Sequence, residues 1–231
     1  MNYRILEWDS RFFGLRVAQI SVDTSIDGNR LADCLERSSA EVVYVFLKPD
    51  HLEQCRPVLE MHAGKCYDHK VTFGKPVNPA PEDSDSSIVE VTEASDELFE
   101  LAYASGRLSR FFLDPLFRPR FTLLYEEWIR KSLRESSFKV YAVYGSLRML
   151  GMATASVENR IGRIGLIAID ELGRGKGLGM RLIRRCETYY KCNGALTCNV
   201  VTQKDNIAAC RLYKEAGYTL ETEHYVWHIW K

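Results

Sequence analysis

The spacing of apolar and polar residues changes style several times along the chain, and each change predicts an element. "YRILEW" (residues 3–8) and "LRVAQISVD" (15–23) read as strands. "RLADCLERSS" puts Leu31, Cys34 and Leu35 at helical spacing, and "EVVYVFLK" is a short β-branched and aromatic run with the pattern of a buried strand. "LEQCRPVLEMHA" returns to helical spacing, with Pro57 warning of a kink or a late start. "CYDHKVTFGK" alternates and predicts another strand. The pattern then breaks in "KPVNPAPEDSDSSI" (75–88), which holds three prolines followed by acidic and serine residues. A domain boundary is expected near residue 85, giving a small α/β domain over 1–85 and a second domain over 86–231.

In the second domain "SIVEVTEA" predicts a strand and "SDELFELAYASGRL" a helix capped by Ser95. "RFFLDPLFRPRF" is irregular, aromatic and basic, and is broken by Pro115 and Pro119. "TLLYEEWIRKSLRE" shows an apolar helix face of Leu124, Trp128, Ile129 and Leu133. "KVYAVYG" and "RMLGMATASVEN" predict a hairpin turning at Gly145-Ser146, followed by a third strand in "RIGRIGLIAID". A glycine-rich stretch opens the helix "LGMRLIRRCETYYKC". The strand "ALTCNVVT", the helix "NIAACRLYKEAG" ending at Gly217, and the extended "YTLETEHYVWHIW" complete the chain. Strands mixed with helices throughout predict an α/β fold with a mixed sheet.

Composition excludes several classes. Of 231 residues, 46% are hydrophobic and 27% charged, and 31 basic residues balance 31 acidic ones, so no global charge favours a nucleic-acid or membrane partner. The seven cysteines form no Cys-x-x-Cys pair, which argues against a disulfide framework and a zinc site. His51, His62 and His69 lack metal-ligand spacing, and no metal is expected. The first residues carry no signal-peptide pattern and no apolar run reaches a membrane span, so a cytoplasmic location is expected.

The chemistry concentrates in "ELGRGKGLGM" (171–180), four glycines at alternate positions after a strand and before a helix. The first amides of a helix lack internal partners and face the positive end of its dipole, so this order builds an anion site, with Arg174 and Lys176 adding charge. It is no nucleoside-triphosphate loop, because Lys176 precedes Gly177 instead of Ser or Thr. It is no dinucleotide fingerprint either: counted from Gly173 or Gly175, the last glycine position falls on Leu178 or Met180.

"LIAIDELGRGKGLGMRLI" resembles motif A of the GNAT superfamily of N-acetyltransferases, a strand followed by Arg/Gln-x-x-Gly-x-Gly/Ala, with Arg174, Gly177 and Gly179 at those places and Glu171 where proline is common. "DNIAACRLYKEAGY" resembles motif B, with Asn206, Tyr213 and Gly217 in register. The resemblance covers about residues 86 to 231. "EWDSRFFG" and "YVWHIW" are similar to a subgroup containing dTDP-fucosamine N-acetyltransferase, although motif A is degenerate in that enzyme and intact here.

The resemblance implies a GNAT acyl-CoA N-acyltransferase fold, acetyl-CoA as co-substrate, and transfer to the primary amine of a small molecule, with a nucleotide-linked amino sugar first in line. By resemblance Leu166, Ile167, Ala168 and Ile169 line the pantetheine arm, and the amide of Leu166 or Ile167 polarises the thioester. Arg174, Gly175, Lys176, Gly177, Leu178 and Gly179 hold the pyrophosphate, Asn206 lies near the pantetheine or phosphate end, and Tyr213 is the general acid. The base stays open among Glu171, His224 and water. Arg110, Phe111, Arg118 and Arg120 either meet the acceptor's diphosphate and base or belong to a packed loop with solvated arginines. A peptide-amine acetyltransferase and a non-catalytic acyl-CoA-binding module are the competing readings, and a homodimer is left open.

Overall fold

The computed structural model describes residues 1–22, 28–77 and 85–231. In chain order the elements are β1 (Asn2–Ile5), α1 (Glu7–Phe13), β2 (Val17–Val22), α2 (Gly28–Arg37), β3 (Val42–Leu47), α3 (Leu52–Met61) and β4 (Lys65–Pro76). They continue with β5 (Ile88–Glu90), α4 (Asp96–Ser105), α5 (Arg110–Leu113), α6 (Phe121–Arg134), β6 (Phe138–Tyr144), β7 (Met149–Glu158), β8 (Ile161–Ile169), α7 (Leu178–Cys192), β9 (Thr197–Gln203), α8 (Ile207–Glu215) and β10 (Thr219–Trp230). Among the described residues, no helix is long and apolar enough to cross a membrane.

Two units emerge: Met1–Val71 with Thr222–Lys231, and Thr72–Glu221. The division falls inside β4 and β10, away from the proline-rich segment near residue 85. Two parts of that segment, Lys75–Pro76 and the residues from Asp85 onward, are ordered within the second unit, while 78–84 lie outside the described residues. A strand shared between units has no change of composition to betray the border.

In the first unit β1 pairs antiparallel with β2, β2 parallel with β3 (Val17↔Val42), and β3 antiparallel with β10 (Leu47↔Tyr225, Val42↔Trp230). β3 thus has a neighbour on each edge, which suits its apolar run. Ile20, Val43, Val45, Leu47 and Ile229 form a core with Leu31 and Leu35 of α2 and Leu59 of α3. Pro57 lies inside α3, which begins at Leu52.

α1 differs from the strand expected over 3–8. The strand ends at Ile5, and the helix gains acidic Glu7 and Asp9 in its first turn, a Trp8–Phe12 ring stack at 5.2 Å one turn apart, and Gly14 closing it at φ 68°.

The second unit has the strand order β9-β8-β7-β6-β5, with β8 and β9 parallel and the other pairs antiparallel. Ser95 caps α4 by accepting from the Leu98 amide. α7 buries Leu182, Ile183, Cys186 and Tyr190, and Gly162 of β8 gives the Tyr190 ring room, since a Cβ there would lie 2.4 Å from it. This fixes the helix that follows the glycine stretch directly over the strand that precedes it.

Candidate acyl-donor and active site

β8 and β9 part company half-way. Their register runs from Ile161↔Thr197 to Ile164↔Val200 and stops, although β8 continues to Ile169 and β9 to Gln203. On its other edge β8 stays paired to β7 through Ile167↔Ala153, Ala168↔Met152 and Ile169↔Gly151. One edge of the segment Gly165–Ile169 is therefore left without a ladder partner among the described residues, and backbone groups so placed need an external partner.

A bulge sits where the strands separate. Between Ala153 and Ala155 the register shifts, so Thr154 faces both Gly165 and Leu166. The Leu166 amide donates to Thr154 Oγ1 at 2.8 Å, and that hydroxyl is buried. A Cβ on Gly165 would come within 2.7 Å of the same oxygen. Nothing in the sequence pattern singles out Thr154, because its role exists only once the bulge forms.

Each of the four glycines at 171–180 has its own reason. Gly175 and Gly177 both adopt φ +72° with open space around the missing Cβ, a backbone that other residues avoid. Gly173 is buried, and a Cβ there would meet the Leu150 carbonyl oxygen at 2.9 Å. Gly179 lets α7 approach α8, with Leu212 Cδ2 2.8 Å from where a Cβ would stand. The left-handed turns bring the chain into α7 with a run of amides that have no helical partner. Among the described residues, the amides from Gly175 to Met180 meet no protein acceptor; the first internal bond of α7 is Arg181 N to Gly177 O at 3.2 Å.

Three basic side chains, Arg174, Lys176 and Arg181, accompany these amides along the chain, two of them paired with carboxylates. Lys176 is exposed, and Arg174 is exposed beside an equally solvated Glu171 at 3.7 Å, a pair worth little energetically. One turn further, Arg181 is held by both carboxylate oxygens of Asp85 (2.5 and 2.9 Å) and by the Ser87 hydroxyl. That fork holds the Asp85 carboxyl well below the usual carboxylate range. Asp85 reads as linker in the sequence; in the structure it holds Arg181 of α7.

Tyr213 lies on α8, which Asn206 caps by accepting from the Ala209 amide at 3.3 Å. The capping oxygen of Asn206 is thus engaged within its own helix. Tyr213 is 2% exposed, with its ring 6.0 Å from Phe73 and 6.2 Å from Tyr218, and its hydroxyl makes no hydrogen bond among the described residues. Burial, reinforced by Cys210 and Cys186, pushes this hydroxyl above its ordinary value, so it keeps its proton at neutral pH. Lys75 braces the end of the same helix: its ammonium bonds Ala216 O at 2.7 Å, pairs with Glu187 at 2.7 Å and sits 4.7 Å above the Tyr218 ring.

A family model described as the acetyltransferase (GNAT) family matches residues 101–218, about half of the chain. The chain belongs to the GNAT acetyltransferase family. The spore coat polysaccharide biosynthesis protein SpsD of Bacillus subtilis is 27% identical over 138 residues, 59% of this chain and 47% of its own. An uncharacterized N-acetyltransferase of the same species, YobR, is 32% identical over 85 residues, 37% of this chain and 34% of its own. The match therefore spans about half or less of these curated relatives. A GCN5-related N-acetyltransferase from Sphaerobacter thermophilus superposes on 98% of this chain and 75% of its own with a TM-score of 0.61 at 14% identity, a likeness of fold.

In this GNAT chain the segment from Ser109 to Phe121 is built on aromatic packing. Phe111 is buried with its ring edge-on to Phe117 (5.8 Å) and Trp128 (5.9 Å). Arg110 lies over Phe111 at 4.4 Å and Arg118 over Phe112 at 4.3 Å, while Arg120 is exposed. The segment thus brings its arginines and aromatics together, with the Phe111 ring committed to its neighbours. His224 belongs to the first unit, where its ring meets Phe46 edge-on at 6.3 Å.

Proposed function

We propose that this GNAT protein transfers an acetyl group from acetyl-CoA to the primary amine of a small-molecule acceptor, and that the acceptor is a nucleotide-linked amino sugar. The observation that carries the donor half is the pairing break between β8 and β9, followed at once by unpartnered amides at the start of α7. An unpaired strand edge suits the two amides of a pantetheine arm, and unpartnered amides at a helix N-terminus suit a pyrophosphate. The positive φ and open space at Gly175 and Gly177 fit close approach by such a group.

In this reading Leu166–Ile169 hold the pantetheine arm, and Arg174, Gly175, Lys176, Gly177, Leu178 and Gly179 hold the pyrophosphate. The Leu166 amide is engaged by Thr154, so the Ile167 amide takes the developing charge on the thioester oxygen. The acceptor's neutral amine forms the new C–N bond, the C–S bond breaks, and Tyr213 gives its proton to the departing thiolate. Asn206 contributes by capping the helix that carries Tyr213. Glu171 stands in solvent beside Arg174, and water is the proposed carrier of the proton lost by the amine.

The acceptor class rests on lesser supports: the naming of SpsD for spore coat polysaccharide biosynthesis, and the presence of Arg110, Arg118 and Arg120 within one short segment. Free-CoA release measured against a panel of nucleotide-linked amino sugars, amino acids and basic peptides tests both halves. Release with an amino-sugar nucleotide alone supports the proposal. Release with basic peptides alone would replace the acceptor, and no release with any amine would favour the non-catalytic module.

A further inference from the structure

The first unit carries an open surface cleft, lined largely by exposed side chains, that the acetyl-transfer reading does not use. It has a volume of about 550 Å³ and is lined by Tyr3 and Ile5 of β1, Arg16 just before β2, and Arg30, Asp33 and Arg37 of α2. That volume lies within the range of roughly 300–1,000 Å³ usual for small-molecule sites. Arg30, Asp33 and Arg37 share a stripe of α2 at spacings of three, four and seven residues, so the helix itself turns them to one side.

Among the described residues, three arginines and one aspartate line the cleft, in a chain whose basic and acidic residues balance at 31 each. Among the described residues, none of the three guanidinium groups makes an ion pair or a hydrogen bond. Glu41 accepts from the Arg16 backbone amide at 2.8 Å, which brings its carboxylate near Arg16, but among the described residues it forms no ion pair with that guanidinium. The Lys231 ammonium binds the carbonyls of Leu35 and Ser38 at the end of α2, and it is close enough to Cys34 to oppose the rise that burial imposes on that thiol. Arginine forks that are in no ion pair and line a concavity are the chemistry of phosphate recognition. Tyr3 leaves part of its ring open as an apolar ledge, and Asp33 supplies an acceptor for hydroxyl groups.

We propose that this cleft is a second binding site, separate from the glycine loop, for a small phosphorylated ligand with a hydroxyl-bearing body, the chemistry of a sugar phosphate. The phosphate meets Arg16, Arg30 and Arg37, and the hydroxylated body lies against Tyr3 and Asp33. The claim is independent of acetyl transfer, and its test separates the two. Amide and arginine Nε resonances of the full chain are followed by ¹⁵N NMR during titration with glucose 1-phosphate, and again in R30Q/R37Q. Saturable shifts in residues 30–38 are expected, at least tenfold weaker in the Gln pair and largely kept in R30K/R37K, with an unchanged melting temperature showing that each variant folds. Shifts confined to residues 175–180 would place the anion in the glycine loop and overturn the proposal. So would the absence of saturable shifts, or binding equal in wild type and the Gln pair.

Discussion

Tyr213 and Thr154 are polar residues buried in an apolar setting, and they differ in how each hydroxyl is spent. The Tyr213 hydroxyl makes no hydrogen bond among the described residues, so its loss leaves no partner stranded. Tyr213→Phe should lower kcat by about 10²-fold with KM for acetyl-CoA and the melting temperature nearly unchanged, as steady-state kinetics and calorimetry would show. Thr154 does the opposite work. Thr154→Val keeps the shape but strands the Leu166 amide, so denaturant titration should show a loss of about 1–3 kcal/mol, and kcat should fall with it as the bulge relaxes. Thr154→Ser should restore both. Tyr213 stands out in the sequence because the likeness to motif B spaces it from Asn206 and Gly217, and its catalytic role is proposed from that likeness. Thr154 does not stand out, since its role depends on a register shift between two strands that no single stretch of sequence encodes.

The helix after the glycine loop and the one after β9 are pinned by tyrosines. Tyr190 of α7 fills the space opened by Gly162 of β8, and Tyr213 of α8 packs beside Phe73 and Tyr218. Burial raises the hydroxyl pKa of all three tyrosines above the ordinary value, with nearby cysteine thiols adding to it. A folded-state pKa raised above the unfolded one stabilises the protein fully below the unfolded value, and that contribution shrinks as pH rises past it, because the unfolded chain releases its protons first. Urea midpoints should therefore hold level through neutral pH and fall above a pH of about 10, and less steeply when Tyr190 is replaced by Phe. At this scale the pattern of apolar spacing located nearly every helix and strand. It missed α1, where Ile5, Leu6 and Trp8 continue an apparent strand. The deciding signals are the Trp8–Phe12 stack and the left-handed Gly14, both properties of a turn rather than of a run.

The division of the whole molecule was the least readable feature. A proline-rich stretch advertises a linker near residue 85, yet Phe73 and Lys75 before it belong to the second unit, and Thr222–Lys231 belong to the first. Deleting residues 1–85 removes the ring beside Tyr213 and the ammonium that bridges Glu187 and Ala216. The fragment 86–231 should thus lack a cooperative thermal transition and release no CoA; a sharply melting, active fragment would refute this account of the units. The proposed donor site, by contrast, is continuous in sequence from Leu166 to Met180, so the sequence alone could nominate its residues. Calorimetric titration of acetyl-CoA into the full chain tests the central claim most directly, with Gly177→Val as the control because it forces a side chain onto a left-handed residue in the amide nest. One saturable site in the wild type, weakened at least tenfold in Gly177→Val, is the predicted result. No heat of binding, or equal affinity in both proteins, would contradict it.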